Sequence, residues 1–255
     1  LSQSALESLQ VAAVFGSTFP IPLASQLRPS LPKDLGEAIA AGLVAQDVAD
    51  GLGRFVHALV AVGVYQMLPE GRRASLHDQA CELLQQSDAS ALALVDHADK
   101  AAQIDPHRAI AAHLAAATEL EDGYQWQQIV EHCERTRELL LVFEMADAPW
   151  MADLALAEGR ALRALEDPRS RSSLVEAAEL ARAAEDFHVF AEATLELCSH
   201  GPATFHTQAD AQDFSALLEE ALTTGCRQYL FFAVDEPLAH EGAVQRGVRP
   251  RPGKR

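Results

Sequence analysis

The sequence predicts a mainly α-helical protein that opens with a few helices and one short β-hairpin, then continues as a stack of paired helices. Three observations predict it. Ala and Leu, the strongest helix formers, dominate an apolar content of 49 %, with only 6 % aromatic residues. Apolar residues recur every three or four positions over most of the chain. The one clear exception is a Gly-rich interval near residue 50, where two short strand-like runs flank Asp50-Gly51 and Gly53.

The elements follow in order. Residues 3–15 read as a helix, with Leu6, Leu9, Ala13 and Val14 at helical spacing and Ser2 or Ser4 as its cap. Gly16-Ser17-Thr18 ends it. Pro20 and Pro22 bracket a turn before a short helix at Leu23–Leu27. A third helix is expected over Asp34–Leu43 after Pro29 and Pro32. Val44–Asp47 and Arg54–His57 read as strands, joined where a hairpin needs residues tolerant of positive φ. Three helices followed by a hairpin is the order of a winged helix. Helices at Ala58–Leu68 and Glu70–Gln86 come next, separated by Pro69; the second carries Leu76, Ala80, Leu83 and Leu84 on one face. Ser87-Asp88-Ala89-Ser90 is the expected domain boundary, giving a winged-helix-like domain over residues 1–88.

Beyond it the pattern becomes antiparallel helix pairs. Ile110, Leu114 and Ala117 face Trp126, Ile129, Val130, Cys133 and Leu140 across a turn at Gly123. Leu154, Ala161, Leu162 and Leu165 face Leu174, Ala178 and Ala181 across Asp167-Pro168. Phe190, Ala193 and Leu197 face Phe214, Leu217, Leu218 and Ala221 across Gly201-Pro202. A unit of roughly 35 to 45 residues suits tetratricopeptide-like repeats, and stacking such pairs makes an α-α solenoid, expected over residues 89–225. Residues 226–255 break the pattern with a strand-like run, Tyr229–Val234, and a tail rich in Pro, Gly and Arg that reads as disordered.

Charge narrows the function. The formal net charge is −17, and residues 226–255 hold six of the 20 basic and three of the 37 acidic residues, so residues 1–225 carry −20. A surface this acidic repels phosphate backbones, which excludes direct nucleic-acid binding by the main body. Cys81, Cys133, Cys198 and Cys226 are far apart and read as free thiols of a reducing compartment. With no apolar run near the roughly 18 residues of a membrane span and no basic segment before the first helix, the expected location is the cytoplasm. The chain begins with Leu, which reads as a fragment or a processed product.

The run Arg54-Phe55-Val56-His57-Ala58-Leu59-Val60, continued by Tyr65, Leu68-Pro69, Arg72-Arg73 and Leu76-His77, resembles the winged-helix segment of the large LuxR-type, MalT-like bacterial regulators, which are signal-transducing ATPases of the STAND class. Leu9–Phe15, Leu35–Leu43, Gly159-Arg160-Ala161-Leu162 with Asp167-Pro168, and Leu217–Leu222 resemble further motifs of those regulators in the same order, so the likeness covers residues 1 to about 225. It implies a regulatory and sensing segment. The winged helix would clamp an ATPase domain, His57 would reach the bound nucleotide with Arg54 beside it, and the repeats would bind a protein or small-molecule effector. A ring N–H donated to a phosphate oxygen would supply a charge-assisted bond. The alternative for His57, a core residue of the winged helix, stays open, and Ala61-Val62 departs from the charged residues usual in those regulators.

The sequence contains no G-x-x-x-x-G-K-[ST] loop and no motif of an active site. It reads as a non-enzymatic part, lacking the ATPase domain and the helix-turn-helix of the full regulators, that would meet ADP or ATP only through that ATPase. A stand-alone adaptor and the accessory region of a nucleotide cyclase or kinase are the competing readings. Tyr124 and Trp126 are the candidate partner-binding residues, since such side chains anchor interfaces. Glu131, Glu134 and Glu138, interleaved with Arg135 and Arg137, read as a solvated helix face or an effector-binding stripe. Ten histidines raise the question of metal, but His107, His113, His200 and His206 lack the i, i+4 spacing of helical zinc ligands, so no metal site is expected.

Overall fold

The computed structural model describes residues 1–47, 50–145 and 150–198, together with Ala216 and Glu219. Among the described residues the order is α1 (Gln3–Val14), β1 (Thr18–Pro20), α2 (Ile21–Leu27), α3 (Leu31–Ala40), β2 (Val44–Asp47), β3 (Leu52–Phe55), α4 (Ala58–Gln66), α5 (Glu70–Gln86), α6 (Ala91–Lys100), α7 (Pro106–Glu121), α8 (Trp126–Val142), α9 (Met151–Ala164), α10 (Ser170–Ala183) and α11 (Phe187–Cys198). The protein is mainly helical with one small antiparallel sheet. Two compact units divide the chain, Leu1–Ser173 and Leu174–Arg255, and Ser87–Ser90 joins α5 to α6 inside the first. No helix among the described residues is long and apolar enough to cross a membrane.

The sheet is ordered β1-β3-β2. Strand β1 replaces the turn expected at Pro20. It spans only three residues and pairs on one side alone, with Thr18 opposite Arg54 and Pro20 opposite Leu52. An edge position tolerates a proline, which has no N–H to donate. Strand β3 begins two residues earlier than expected, directly after Gly51 at φ +65°, and ends before His57. Helix α3 likewise starts at Leu31, because Pro32 is accommodated in a first helical turn whose N–H groups need no partner.

Phe19 decides the register. It is fully buried and faces Gly53 across the strands, with its ring 5.5 Å from that of Phe55. A Cβ on residue 53 would lie 2.2 Å from Phe19 Cζ, so the ring fills the space a side chain would need. Gly53→Ala should therefore displace the ring and lower stability by roughly 2–3 kcal/mol, as overpacking does. Urea denaturation checks it, and a midpoint unchanged from wild type would show that the ring can yield.

Helix α1 is covered on two sides. Leu9, Ala12, Leu31, Leu35, Phe19 and Phe55 form one cluster with α3, α4 and the sheet, while Val11 and Val14 join Leu68, Leu76 and Ala80 of the α4–α5 region. A third cluster runs from Cys81 through Ala98, Ile110, Leu120, Ile129, Cys133 and Leu139 to Leu154 and Leu162. It includes α6, a helix to which the sequence reading assigns no span of its own; Ser90 caps it by accepting from the Ala93 N–H.

One device ends five of these helices. Asp88, Tyr124, Glu144, Glu166 and Glu185 all have φ between +50° and +57°. In each case the next N–H reaches back to a carbonyl five positions earlier: Ala89 to Leu84, Gln125 to Leu120, Met145 to Leu140, Asp167 to Leu162 and Asp186 to Ala181. This is the Schellman cap, built without the usual glycine, which is why sequence alone does not reveal it.

In the second unit, the helical residues from Leu174 to Ala183 and α11 bury Leu174, Ala178, Phe190, Ala193 and Leu197. The expected partner helix at Phe214–Ala221 is described only at Ala216 and Glu219, and the strand-like run and tail lie outside the described residues.

Candidate functional site

Arg54 and His57 are both exposed. Arg54 sits in β3 between Thr18 and Ala45 of its neighbours, and His57 is the N-cap residue of α4, with extended backbone and no side-chain capping bond. An exposed His57 is no core residue, so that alternative falls. The helix it precedes is apolar on every side yet leaves Leu59 83 % and Val62 48 % exposed.

Tyr124 and Trp126 do come together, with ring centroids 5.8 Å apart in an edge-on arrangement. Tyr124 is exposed and belongs to the α7 cap, whereas Trp126 is half-buried against the α5–α9 cluster. The arginines of α8 do not form a free stripe. Arg135 Nε donates to Asp99 of α6 at 3.2 Å, and Arg137 Nη2 donates to Glu158 of α9 at 2.7 Å. They tie neighbouring helices together.

What sequence reasoning missed is that four histidines meet in two pairs. His77 Nδ1 lies 2.9 Å from His97 Nδ1, and Tyr65 Oη is 2.9 Å from His77 Nε2. His113 Nδ1 lies 2.8 Å from His132 Nδ1. His77, His97 and His113 are buried. The two pairs stand at equivalent places in successive helix pairs: His77 to His113 is 36 positions and His97 to His132 is 35. That interval was visible in the sequence, hidden among ten histidines.

A nitrogen-to-nitrogen contact of this kind needs one ring to donate and the other to accept, so both rings of a pair cannot be imidazolium at once. Burial lowers His77 to about 3, with the neighbouring His97 adding to the effect. Burial also lowers His97, and burial with the nearby His113 lowers His132. In the second pair, Asp99 Oδ1 lies 3.2 Å from His113 Nε2, although off the line a hydrogen bond requires. Burial pushes the Asp99 carboxyl up, and His113 and Arg135 outweigh it, holding it below the ordinary carboxylate range.

Among the described residues no cluster of three or more His, Cys, Asp or Glu is placed to hold a metal ion. His107 is exposed, edge-on to Trp150; His200 and His206 lie outside the described residues. Cys81 and Cys133 are buried free thiols that burial pushes up to about 11 and about 12, so they stay protonated and unreactive.

Beside the first histidine pair, and within the first unit, a cleft of about 530 Å³ opens between the C-terminal end of α1, α4, α5 and α6. Its volume is in the range of small-molecule sites. Ala13, Val14, Ala61 and Val62 form an apolar wall, and Tyr65, Arg73, Asp96 and Lys100 its polar side. Comparison with family models, with curated proteins and with solved structures finds no match. The geometry alone describes the site.

Proposed function

We propose that the chain is the regulatory and sensing segment of a nucleotide-switched bacterial transcription regulator, with a winged-helix-like domain over residues 1–88 and tetratricopeptide-like repeats over residues 89–225. The observation that carries the reading is the interleaving α1-β1-α2-α3-β2-β3 with sheet order β1-β3-β2, followed after α4 by helices whose paired histidines recur at intervals of 35 and 36 residues. The exposure of Arg54 and His57 at the end of β3 and the start of α4 supports a role toward another module. Effector binding to the repeats would bias that module only by its differential affinity for two states.

The coding sequence on either side tests the reading. A phosphate-binding loop domain before this segment and a helix-turn-helix after it are the expected result; a cyclase or kinase domain there would make the chain an accessory region instead. In a polypeptide that carries the ATPase, His57→Ala should weaken ADP binding. Unchanged affinity would end the nucleotide role of His57.

A further inference from the structure

We propose that the cleft between α1, α4, α5 and α6 binds a small amphipathic organic monoanion, such as an aliphatic or aromatic monocarboxylate. The site stands on its own geometry and does not depend on the regulator reading.

Charge sets the class of ligand. Lys100 Nζ is already paired with Asp96 Oδ2 at 2.7 Å, so those two charges cancel locally. Arg73 is then the cation in excess, and the polar side of the cleft carries a net charge of about +1 within a chain of −17. The Arg73 Nε is buried and meets no hydrogen-bond acceptor among the described residues. Among the described residues no carboxylate pairs with the Arg73 guanidinium, so its terminal nitrogens can give a ligand carboxylate in the cleft the strongest kind of hydrogen bond an arginine makes.

Geometry orients the ligand. The Arg73 guanidinium lies 5.4 Å and the Lys100 ammonium 5.9 Å from the centre of the Tyr65 ring. Both cations are thus gathered on one aromatic side chain, a position that holds them by cation–π attraction. The C-terminal end of α1, the negative pole of that helix, also lines the cleft through Phe15, Gly16 and Ser17. An anionic head group is repelled there and drawn to Arg73, while an apolar body lies against Val14, Ala61 and Val62. Tyr65 connects the site to the interior, because its hydroxyl is bonded to His77 and so to the first histidine pair.

Calorimetric titration of the intact chain with octanoate and benzoate, beside octanol and benzyl alcohol, tests the proposal. At least one carboxylate should bind at pH 7.5, with its alcohol at least tenfold weaker. Arg73→Gln should weaken carboxylate binding roughly tenfold, the worth of one charge-assisted hydrogen bond. Val62→Trp, at a half-exposed position where the fold tolerates a large ring, should abolish it. Circular dichroism establishes that both variants keep the wild-type helix content. Absence of binding by both carboxylates, or affinity unchanged in folded Arg73→Gln, would overturn the site.

Discussion

Between pH 7 and pH 5 the protein should lose about 2 kcal/mol of stability through His77 alone. The sign follows from the lowered folded-state value. In the unfolded chain His77 binds its proton near pH 6.5, whereas in the folded protein burial and His97 delay protonation until about 3. Within that window the unfolded state binds more protons, so stability is complete above about 6.5 and falls as pH drops toward 3. His97 and His132, lowered by burial as well, act in the same direction. Other charges around His77 are few: Asp96 eases protonation, while Arg73 and Lys100 oppose it. Carboxylates held low by their partners, among them Asp34 with three serine hydroxyls, begin to lose their contribution only near pH 4, below this range. Urea midpoints at pH 7, 6 and 5 measure the effect, and His77→Gln should flatten the slope by about one proton. A wild-type midpoint that does not move over those two pH units would contradict the buried, neutral pair.

Arg137→Ala should cost roughly 3 kcal/mol. Glu158 is buried on α9, and it accepts from Arg137 Nε at 3.2 Å and Nη2 at 2.7 Å and from the Ser173 hydroxyl at 3.2 Å. Removing the arginine leaves a buried carboxylate short of its counter-charge, the situation in which breaking an ion pair costs most. Replacing both partners with methionine should restore much of the loss, because two apolar side chains of similar size need no desolvation of charge. The melting temperature reads both outcomes, at about 2–4 °C per kcal/mol for a unit of this size. Equal destabilisation by the single and the double substitution would show that packing of the Arg137 stem, not charge, holds α8 to α9.

How much of this was legible beforehand differs by kind of interaction. Helix α1 and the start of α5 were readable because Ser2, Pro69 and the spacing of Leu and Ala act over a single turn. Strand β1 was not, since three residues carry no period of their own and pair only because Phe19 needs the space above Gly53. The site residues divide in the same way. Arg54 and His57 were singled out by the resemblance alone, and both are exposed. Tyr124 and Trp126 meet because they are two residues apart across a cap. His77 and His97, twenty positions apart, could be joined only by packing α5 against α6.

What the amino-acid sequence determined by itself is therefore the helical class, the placement of most helices and the acidity of the surface, all of which follow from composition and short-range periodicity. Tertiary structure decided which polar groups are removed from water. Desolvation depends on neighbours far away in the chain, and it is what turned two of ten histidines into a proton-sensitive pair and left one arginine without an acceptor beside a cleft.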